Sequence, residues 1–358
     1  MIIHGLAVVL GLTAVFLILW DGFDYALIPS KPTRYARPSR LLAHRLWGQT
    51  RRVARWIRSE RREAVLGWFG PLSLVATFAF WAVGLVLAFG LVQWGLESRL
   101  HDEFNRPGLF DYFYFSGVTF FTLGYGDIVP LGVGGRLVSL VEVGTGFSFL
   151  ALMIGYFPVL TQAYAAREVE VVKLAVRADT PPTAGALLVR AGPADGFATL
   201  TRYFEQWESW AAAVYQSHIA YPVLGFYRSQ WPGHSWLAAM TAMLDTASLM
   251  LTVIDGQDPR AARTLFTMVR HFIVELSDIY GLHRTPFHHG SDDDRISATQ
   301  LDQLLKRLAD NGFVLVAGDD ALRRFHNLRE TYEPYLAALG AHFCLELPPI
   351  QVREPISP

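Results

Sequence analysis

Three long apolar segments dominate the pattern of hydrophobic and polar positions along the chain. Residues 1–20 and 64–96 contain no Asp, Glu, Lys or Arg, and residues 131–164 contain only Arg136 and Glu142. A helix needs about 20 apolar residues to cross a bilayer core of about 30 Å. The pattern therefore predicts three membrane-spanning helices. The first is expected to be a retained anchor, because it lacks a basic start and acidic and aromatic residues follow it in place of a cleavage site.

A shorter apolar segment, Leu109–Phe121, lies between the second and third predicted spans. It is too apolar for a solvated loop and too short to cross, so we expect a half-length helix that enters the membrane and stops. The stretch TLGYGDIVP follows it at residues 122–130. Non-helical backbone at membrane depth persists only where it is buried in protein or faces water. Gly124 and Gly126 permit backbone conformations in this stretch that other residues disfavour.

Beyond Gln162 the pattern changes to the periodicity of amphipathic helices. The predicted helices are Ala194–Gln216, Ser235–Ile254, Pro259–Tyr280, Ser297–Asn311 and Asp319–Phe343. Glu168–Arg177 alternates well enough to be a short strand. Ser235–Ile254 is apolar enough to be considered as a fourth span, but Asp245 and the amphipathic neighbours favour a helix of the C-terminal domain.

Composition and charge refine this description. Hydrophobic residues make up 52% of the 358 residues, which is typical of a membrane protein. The single cysteine, Cys344, leaves no internal disulfide. Residues 31–62 hold eleven basic residues and one acid, Glu60. The positive-inside rule places this loop in the cytoplasm, with the N-terminus outside and the C-terminal domain cytoplasmic.

The basic loop has two interpretations. Arg52, Arg55, Arg58 and Arg61 recur at every third residue, the spacing of a voltage-sensing helix, and Arg34, Arg37 and Arg40 repeat it. A voltage sensor needs a bundle of four spans, however, and one span precedes this loop. The favoured interpretation is an interfacial helix that binds anionic lipids, because Leu42, Leu46, Val53, Trp56 and Ile57 fall on one side with arginines on the other.

The stretch Thr122, Leu123, Gly124, Tyr125, Gly126 and Asp127 resembles the selectivity filter of the tetrameric potassium channel family, with Leu123 in place of the usual valine. Thr119 matches the family's pore helix, while Arg136 and Gly146 match its inner helix. The resemblance covers roughly residues 65 to 165, which corresponds to a bacterial two-transmembrane pore module. The chain would add an N-terminal span and a helical cytoplasmic domain to this module.

The resemblance implies the roles of individual residues. Carbonyls of Thr122–Gly126 would hold K⁺ ions, with Asp127 and Thr119 supporting the filter. Gly146 would be the gating hinge of the inner helix, although it also suits close helix packing. Glu142 is an intramembrane acid that is either functional or, as we favour, a protonated or hydrogen-bonded structural acid behind the pore helix.

Two positions depart from the family's pattern. Phe121 stands where a threonine or serine often precedes the filter, and Val118 stands where some members carry a carboxylic acid behind it. Asp127 therefore needs another hydrogen-bond donor, for which Tyr112 and Tyr114 are the candidates. The rigidity of the filter depends on this partner.

The expected function is a potassium-selective channel that assembles as a homotetramer, because one pore loop per chain supplies a quarter of a ring. Passive K⁺ permeation would be modulated by the cytoplasmic domain. Alternatives are a weakly selective cation channel and a non-conducting, receptor-like protein with a vestigial pore. No internal repeat indicates a transporter with four pore repeats in one chain. The expected location is the bacterial inner membrane.

Several absences limit the C-terminal domain. The sequence contains no glycine-rich nucleotide-binding turn, and no nucleophile or paired-acid constellation indicates an enzyme. We expect no organic cofactor, no catalytic residue and no nucleic acid partner, and the cytoplasmic ligand is unknown. A metal-binding set is conceivable chemically, but an ordinary polar loop explains the same residues, which are His283, His288, His289, Asp292, Asp293 and Asp294.

The predicted fold class is an α-helical membrane protein, with a re-entrant pore-loop channel module and a mainly α-helical cytoplasmic domain. We divide the chain into an N-terminal transmembrane helix at 1–20, a basic cytoplasmic loop with an interfacial helix at 21–63, a pore domain at 64–164, and a regulatory domain at 165–358.

Overall fold

The structure is a computed structural model that describes residues 2–26, 37–101, 107–195, 197–284, 287, 290, 294–316 and 318–351. It divides into two compact units, Met1–Thr161 and Gln162–Pro358. Three helices are long and apolar enough to cross a membrane, namely Ile2–Ala26, Arg61–Gly95 within a longer helix, and Val133–Ala178. These are the three segments that the hydrophobic pattern predicts.

The first unit contains four helices and the beginning of a fifth. They are α1 (Ile2–Ala26), α2 (Pro38–Trp56), α3 (Ser59–Gly95), α4 (Leu109–Phe120) and α5 (Val133–Ala178). Two short strands, β1 (Leu100–His101) and β2 (Val129–Pro130), flank α4 in the sequence and pair antiparallel, with Leu100 opposite Pro130. The chain therefore returns to the end of α3 after the TLGYGD stretch and before α5 begins.

Helix α1 extends six residues beyond the predicted end of the first span at Trp20. Asp21 is buried, but its carboxylate accepts hydrogen bonds from the Trp81 indole (2.8 Å) and the Ser39 hydroxyl (2.9 Å). A buried carboxylate is tolerated when it is hydrogen-bonded, so the acid does not end the helix. Trp81 lies on α3 and Ser39 on α2, so Asp21 joins three helices.

Helix α2 is the predicted basic helix, although residues 27–36, with Arg34, lie outside the described residues. Its buried residues are Ser39, Trp47 and Ala54, and the Trp47 ring lies 4.7 Å from that of Phe69 on α3. Trp56 is 92% exposed, so the apolar residues of α2 do not all face inward. The helix ends before Arg58, which precedes α3. Arg52 and Arg55 therefore lie on α2, and Arg61 lies on α3. The regular spacing does not continue along one helix, which disfavours the voltage-sensor interpretation.

The second unit is also helical in the residues that the structure describes. After the end of α5 it contains a 3₁₀ helix at Pro222–Phe226 and seven α-helices. These are α6 (Ala184–Ala191), α7 (Ala198–Ala220), α8 (Trp236–Thr252), α9 (Arg260–Ile279), α10 (Ala298–Asp310), α11 (Asp319–Glu330) and α12 (Glu333–Phe343). Four predicted helices are confirmed within a few residues. The predicted helix Asp319–Phe343 divides at Thr331–Tyr332, because Pro334 fits the first turn of a helix and disrupts its interior.

The possible strand at Glu168–Arg177 is wrong, because this segment continues α5. Its buried residues include Val171, Leu174 and Ala178, whose spacing of three and four follows a helical face. These residues belong to the core cluster of the second unit. Packing of that face outweighs the modest preference of valine for strands.

Helix α8 is the core helix of the second unit rather than a membrane span. Almost all of its 17 residues are buried, and Asp245 binds Arg295 through two contacts of 2.7 and 2.8 Å. Arg295 also contacts Glu333 on α12, and the Tyr332 hydroxyl donates to Asp245 at 2.7 Å. Burial would raise the pKa of Glu333, but the guanidinium groups of Arg295 and Arg329 lower it below its usual value. The buried charges are therefore paired.

Candidate functional site

The TLGYG stretch is an extended loop with an unusual backbone. Positive φ angles occur at Thr122 (57°), Gly124 (60°) and Gly126 (77°), which are alternate residues. Glycine adopts such angles readily, but a β-branched threonine with positive φ is an outlier. Strained backbone of this kind is concentrated at functional sites. When residues with positive φ alternate with residues with negative φ, successive backbone carbonyls can face the same side. In a β-strand, successive carbonyls point to opposite sides.

The loop begins from a hydrogen-bonded end of α4. The amide of Thr122 donates to the Thr119 carbonyl at 3.1 Å, and the amide of Leu123 donates to the Val118 carbonyl at 2.9 Å. Thr119, predicted to support the loop, thus contacts it through its backbone. These bonds satisfy carbonyls that the last turn of a helix leaves open. The start of the loop is fixed to the helix that precedes it.

Asp127 at the other end of the loop is held by Tyr114. The Tyr114 hydroxyl donates a hydrogen bond of 2.8 Å to the Asp127 carboxylate. Of the two candidate donors, Tyr112 instead donates to the Ser98 carbonyl at 2.9 Å. Tyr114 lies on α4 of the same chain, so one helix anchors both ends of the loop.

Glu142 lies behind α4. It is fully buried, and one of its carboxylate oxygens contacts the Ser116 hydroxyl. The same hydroxyl lies 2.7 Å from the Val86 carbonyl on α3. A serine hydroxyl carries one proton, so Ser116 donates to only one of these two oxygens at a time. If Glu142 is neutral and donates its proton to Ser116, the hydroxyl can donate to the Val86 carbonyl and both contacts are hydrogen bonds. The acid thus joins α5 to α4 and α3.

Gly146 allows α5 to approach the end of α4. A Cβ atom built at Gly146 would overlap the Phe120 carbonyl oxygen and lie 3.0 Å from its carbonyl carbon. Helix α5 continues through this position without interruption. The structure therefore gives Gly146 a packing contact directly behind the loop. The hinge role, which the resemblance implied, remains a prediction.

Comparison with known proteins identifies the same segment. Residues 74–162 match a family model described as "Ion channel". The chain is 42% identical over 71 residues to "Two-pore potassium channel 4" of Arabidopsis thaliana, an alignment that covers 19% of this chain and 24% of the relative. These matches support an ion channel family. The channel family and the three apolar helices confirm a helical membrane protein, and such a family points to a protein that is not an enzyme.

Other relatives extend the comparison. "Uncharacterized membrane protein YdjJ" of Bacillus subtilis is 27% identical over 215 residues, covering 58% of this chain and 59% of the relative. "Protein LctB" of Bacillus caldotenax is 30% identical over 84 residues, covering 21% of this chain and 62% of the relative. The chain therefore spans less than two thirds of the length of these relatives. No solved structure matches significantly.

Three residues of the channel domain were not identified from the sequence. Ser116 and Phe120 contact Glu142 and Gly146, and no local pattern indicates these partners. Gln93 is fully buried on α3, and its side-chain amide donates to the Gly135 carbonyl at 3.0 Å and contacts the Ser139 hydroxyl at 3.2 Å. Gln93 is the only residue with an amide side chain in the charge-free run 64–96. A lone amide group in such a run indicates a buried hydrogen bond, and this pattern could have identified Gln93.

The conceivable metal set of the C-terminal domain gains no support. Among the described residues no three His, Cys, Asp or Glu side chains could hold a metal ion together. His288, His289, Asp292 and Asp293 lie outside the described residues. The Asp294 carboxylate contacts Arg329 at 2.7 Å. Burial would raise the pKa of Asp294, but the hydrogen bond from Arg329 and its charge lower it.

Proposed function

We propose that this protein is a potassium-selective channel in which four identical chains surround one pore. The alternating positive φ angles of Thr122, Gly124 and Gly126 carry the proposal. Backbone carbonyls on one side of such a loop replace the hydration shell of K⁺, as in potassium channel filters. The ion is the transported substrate, and the Thr122 hydroxyl adds a further oxygen. The likeness to a plant protein named as a potassium channel supports this choice of ion.

Exposed apolar surface supports assembly of several chains. Leu123 and Tyr125 of the loop are 54% and 67% exposed in the single chain. One face of α5 is also exposed, at Leu137, Leu140, Val141, Phe147, Leu150 and Ile154. Lipid covers part of such a surface, but one loop cannot enclose an ion. A closed ring of identical subunits buries the loops and encloses the path.

The experiment that tests this function is a reversal-potential measurement on the full-length protein in a planar bilayer, with K⁺ and Na⁺ gradients opposed. A potassium-selective pore should follow the K⁺ gradient, with a shift of about 59 mV for each tenfold change in the K⁺ ratio. Reversal near zero would favour a weakly selective cation channel. The absence of current from protein of tetrameric mass would favour the receptor-like alternative.

We infer the orientation from the distribution of charge, and we propose a bacterial inner membrane as the location. We place α2 at the cytoplasmic leaflet of a bacterial inner membrane, where Arg45, Arg52 and Arg55 face anionic headgroups and Trp56 enters the interface. Single cysteines at residues 2 and 40, with Cys344 replaced by alanine, should react with an impermeant label from outside and inside respectively. The reverse pattern would overturn this topology. Added phosphatidylglycerol, but not phosphatidylcholine, should protect residue 40 from the label.

Residues 165–358 are proposed to be a cytoplasmic domain that modulates gating. Arg167 of α5 is buried in the second unit, where it donates to the carbonyls of Leu224 (2.9 Å) and Tyr227 (2.6 Å). Helix α5 is continuous from Val133 to Ala178, so Arg167 lies on the helix that carries Glu142 and Gly146. A ligand that distinguishes two arrangements of this domain would shift the pore equilibrium by its difference in affinity.

Arg167→Ala should change the open probability several-fold while the K⁺/Na⁺ permeability ratio stays constant. The Leu224 carbonyl keeps the Tyr227 amide as a donor at 3.1 Å. The Tyr227 carbonyl keeps no donor among the contacts described, and leaving such a group unsatisfied costs about 1–3 kcal/mol. Single-channel recording measures both quantities. Lys173→Ala is the matched control, because Lys173 is exposed on the same helix and pairs only with Glu170 at the surface among the contacts described. If the Arg167→Ala variant gates like the parent while its C-terminal domain is folded, the domain is a scaffold for partners and not a gating domain.

A further inference from the structure

The last turns of α5 carry two apolar faces, and the described residues cover one of them. Val171, Leu174 and Ala178 are buried in the core of the second unit. Val169, Val172 and Val176 expose 52%, 41% and 76% of their surfaces, and Ala165 is also exposed. At 100° per residue the exposed set lies on the opposite side of the helix from the buried set. The covered face explains how α5 joins its own domain, and the other face has no partner among the residues that the structure describes.

The spacing of the exposed face is that of a coiled coil. Ala165, Val169, Val172 and Val176 are separated by four, three and four residues, which corresponds to alternating d and a positions of a heptad. A surface-exposed helix in water would carry polar residues on this face. The helix has no glycine or proline between Ala163 and Ala178, so the pattern is not interrupted.

We propose that four copies of this chain pair through this face and form a short parallel four-helix coiled coil, which rests on the proposed tetrameric channel. The occupant is a second copy rather than another protein for two reasons. Helix α5 is one continuous helix with the pore segment, so a tetrameric pore brings four identical α5 helices together in parallel. Moreover, β-branched residues occupy both a and d positions, an arrangement that favours more than two strands.

The exposed face formed by Ala165, Val169, Val172 and Val176, which we call the stripe, has a length that suits a coiled coil between tethered subunits. About three turns are too short for a stable free coiled coil, because isolated helices below about 12–15 residues are marginal. Helices tethered to a common pore instead associate at a high effective concentration. The stripe therefore adds a second contact between subunits, outside the membrane, without needing to assemble the channel by itself.

Disulfide cross-linking of the full-length protein in detergent tests the proposal. In a Cys344→Ala background, Val172→Cys and Val169→Cys should each form covalent dimers in high yield under mild oxidation. Glu205→Cys is the matched control, since Glu205 is exposed on α7 of the same unit. Its dimer yield should be at least tenfold lower.

The mass of each variant in detergent separates the two hypotheses. Tetrameric protein in which Val169→Cys and Val172→Cys cross-link no better than Glu205→Cys overturns the coiled coil and leaves the channel intact. Monomeric protein overturns the tetrameric pore, and the coiled coil with it. Cross-linking confined to the two stripe positions in a tetramer supports both.

Discussion

Gly126→Ala should abolish K⁺ permeation. The φ angle of Gly126 is 77°, and an L-residue in a left-handed conformation costs about 1–2 kcal/mol. No atom of the described residues lies within 4 Å of a Cβ built there, so the expected effect comes from the backbone conformation and not from a clash with them. Four loops would bear this cost around one ion. Relaxation of φ to a negative value would turn a carbonyl away from the path.

Gly134→Ala is the matched control for this substitution. Gly134 lies in α5 and has no positive φ angle, and no atom in the described part of the chain lies within 4 Å of its Cβ position. Alanine is favoured over glycine within a helix, so this variant should conduct like the parent. Single-channel conductance of protein with verified tetrameric mass is the measurement. Unchanged conductance of the Gly126 variant would contradict the proposed ion path, whereas loss in both variants would indicate a general packing defect.

The membrane-spanning helices and the position of the loop were predictable because their signals are local. A run of 20 apolar residues requires a helix, and a short apolar segment followed by glycines can only enter and turn. The sequence offers two tyrosines, Tyr112 and Tyr114, as hydrogen-bond donors to Asp127. Choosing Tyr114 required the three-dimensional course of the loop, because both hydroxyls lie on the same short helix.

Contacts between distant segments were not predictable. Ser116 and Glu142 are 26 residues apart, and no periodicity relates them. At Glu168–Arg177 the sequence alternates between apolar and polar residues, which is the pattern of a strand. The structure shows two apolar faces on one helix, one covered by its own domain and one exposed. A short sequence pattern cannot distinguish a helix with two apolar faces from a strand, because the two faces of a strand also produce apolar residues at short intervals.

Gly146→Ala should prevent correct packing of the channel domain, and Gly144→Ala should not. A Cβ added at Gly146 would overlap the Phe120 carbonyl oxygen, whereas a Cβ at Gly144 has no neighbour within 4 Å among the residues described. Overpacking a well-packed core costs about 1–3 kcal/mol, and backbone atoms cannot move aside as a side-chain end can. The end of α4 would shift, and Thr122 follows it directly through its bond to Thr119.

Thermal unfolding and channel current together measure this prediction. We expect a lower unfolding temperature and little or no current for Gly146→Ala, with parental values for Gly144→Ala. A hinge predicts the opposite sign for stability, because alanine in a helix interior is favoured over glycine by about 0.5–1 kcal/mol. A Gly146→Ala protein that unfolds at a higher temperature and conducts with altered gating would establish the hinge. If the Gly146 variant unfolds at a lower temperature and the Gly144 variant does not, Gly146 is assigned to the contact that holds α5 against the end of α4.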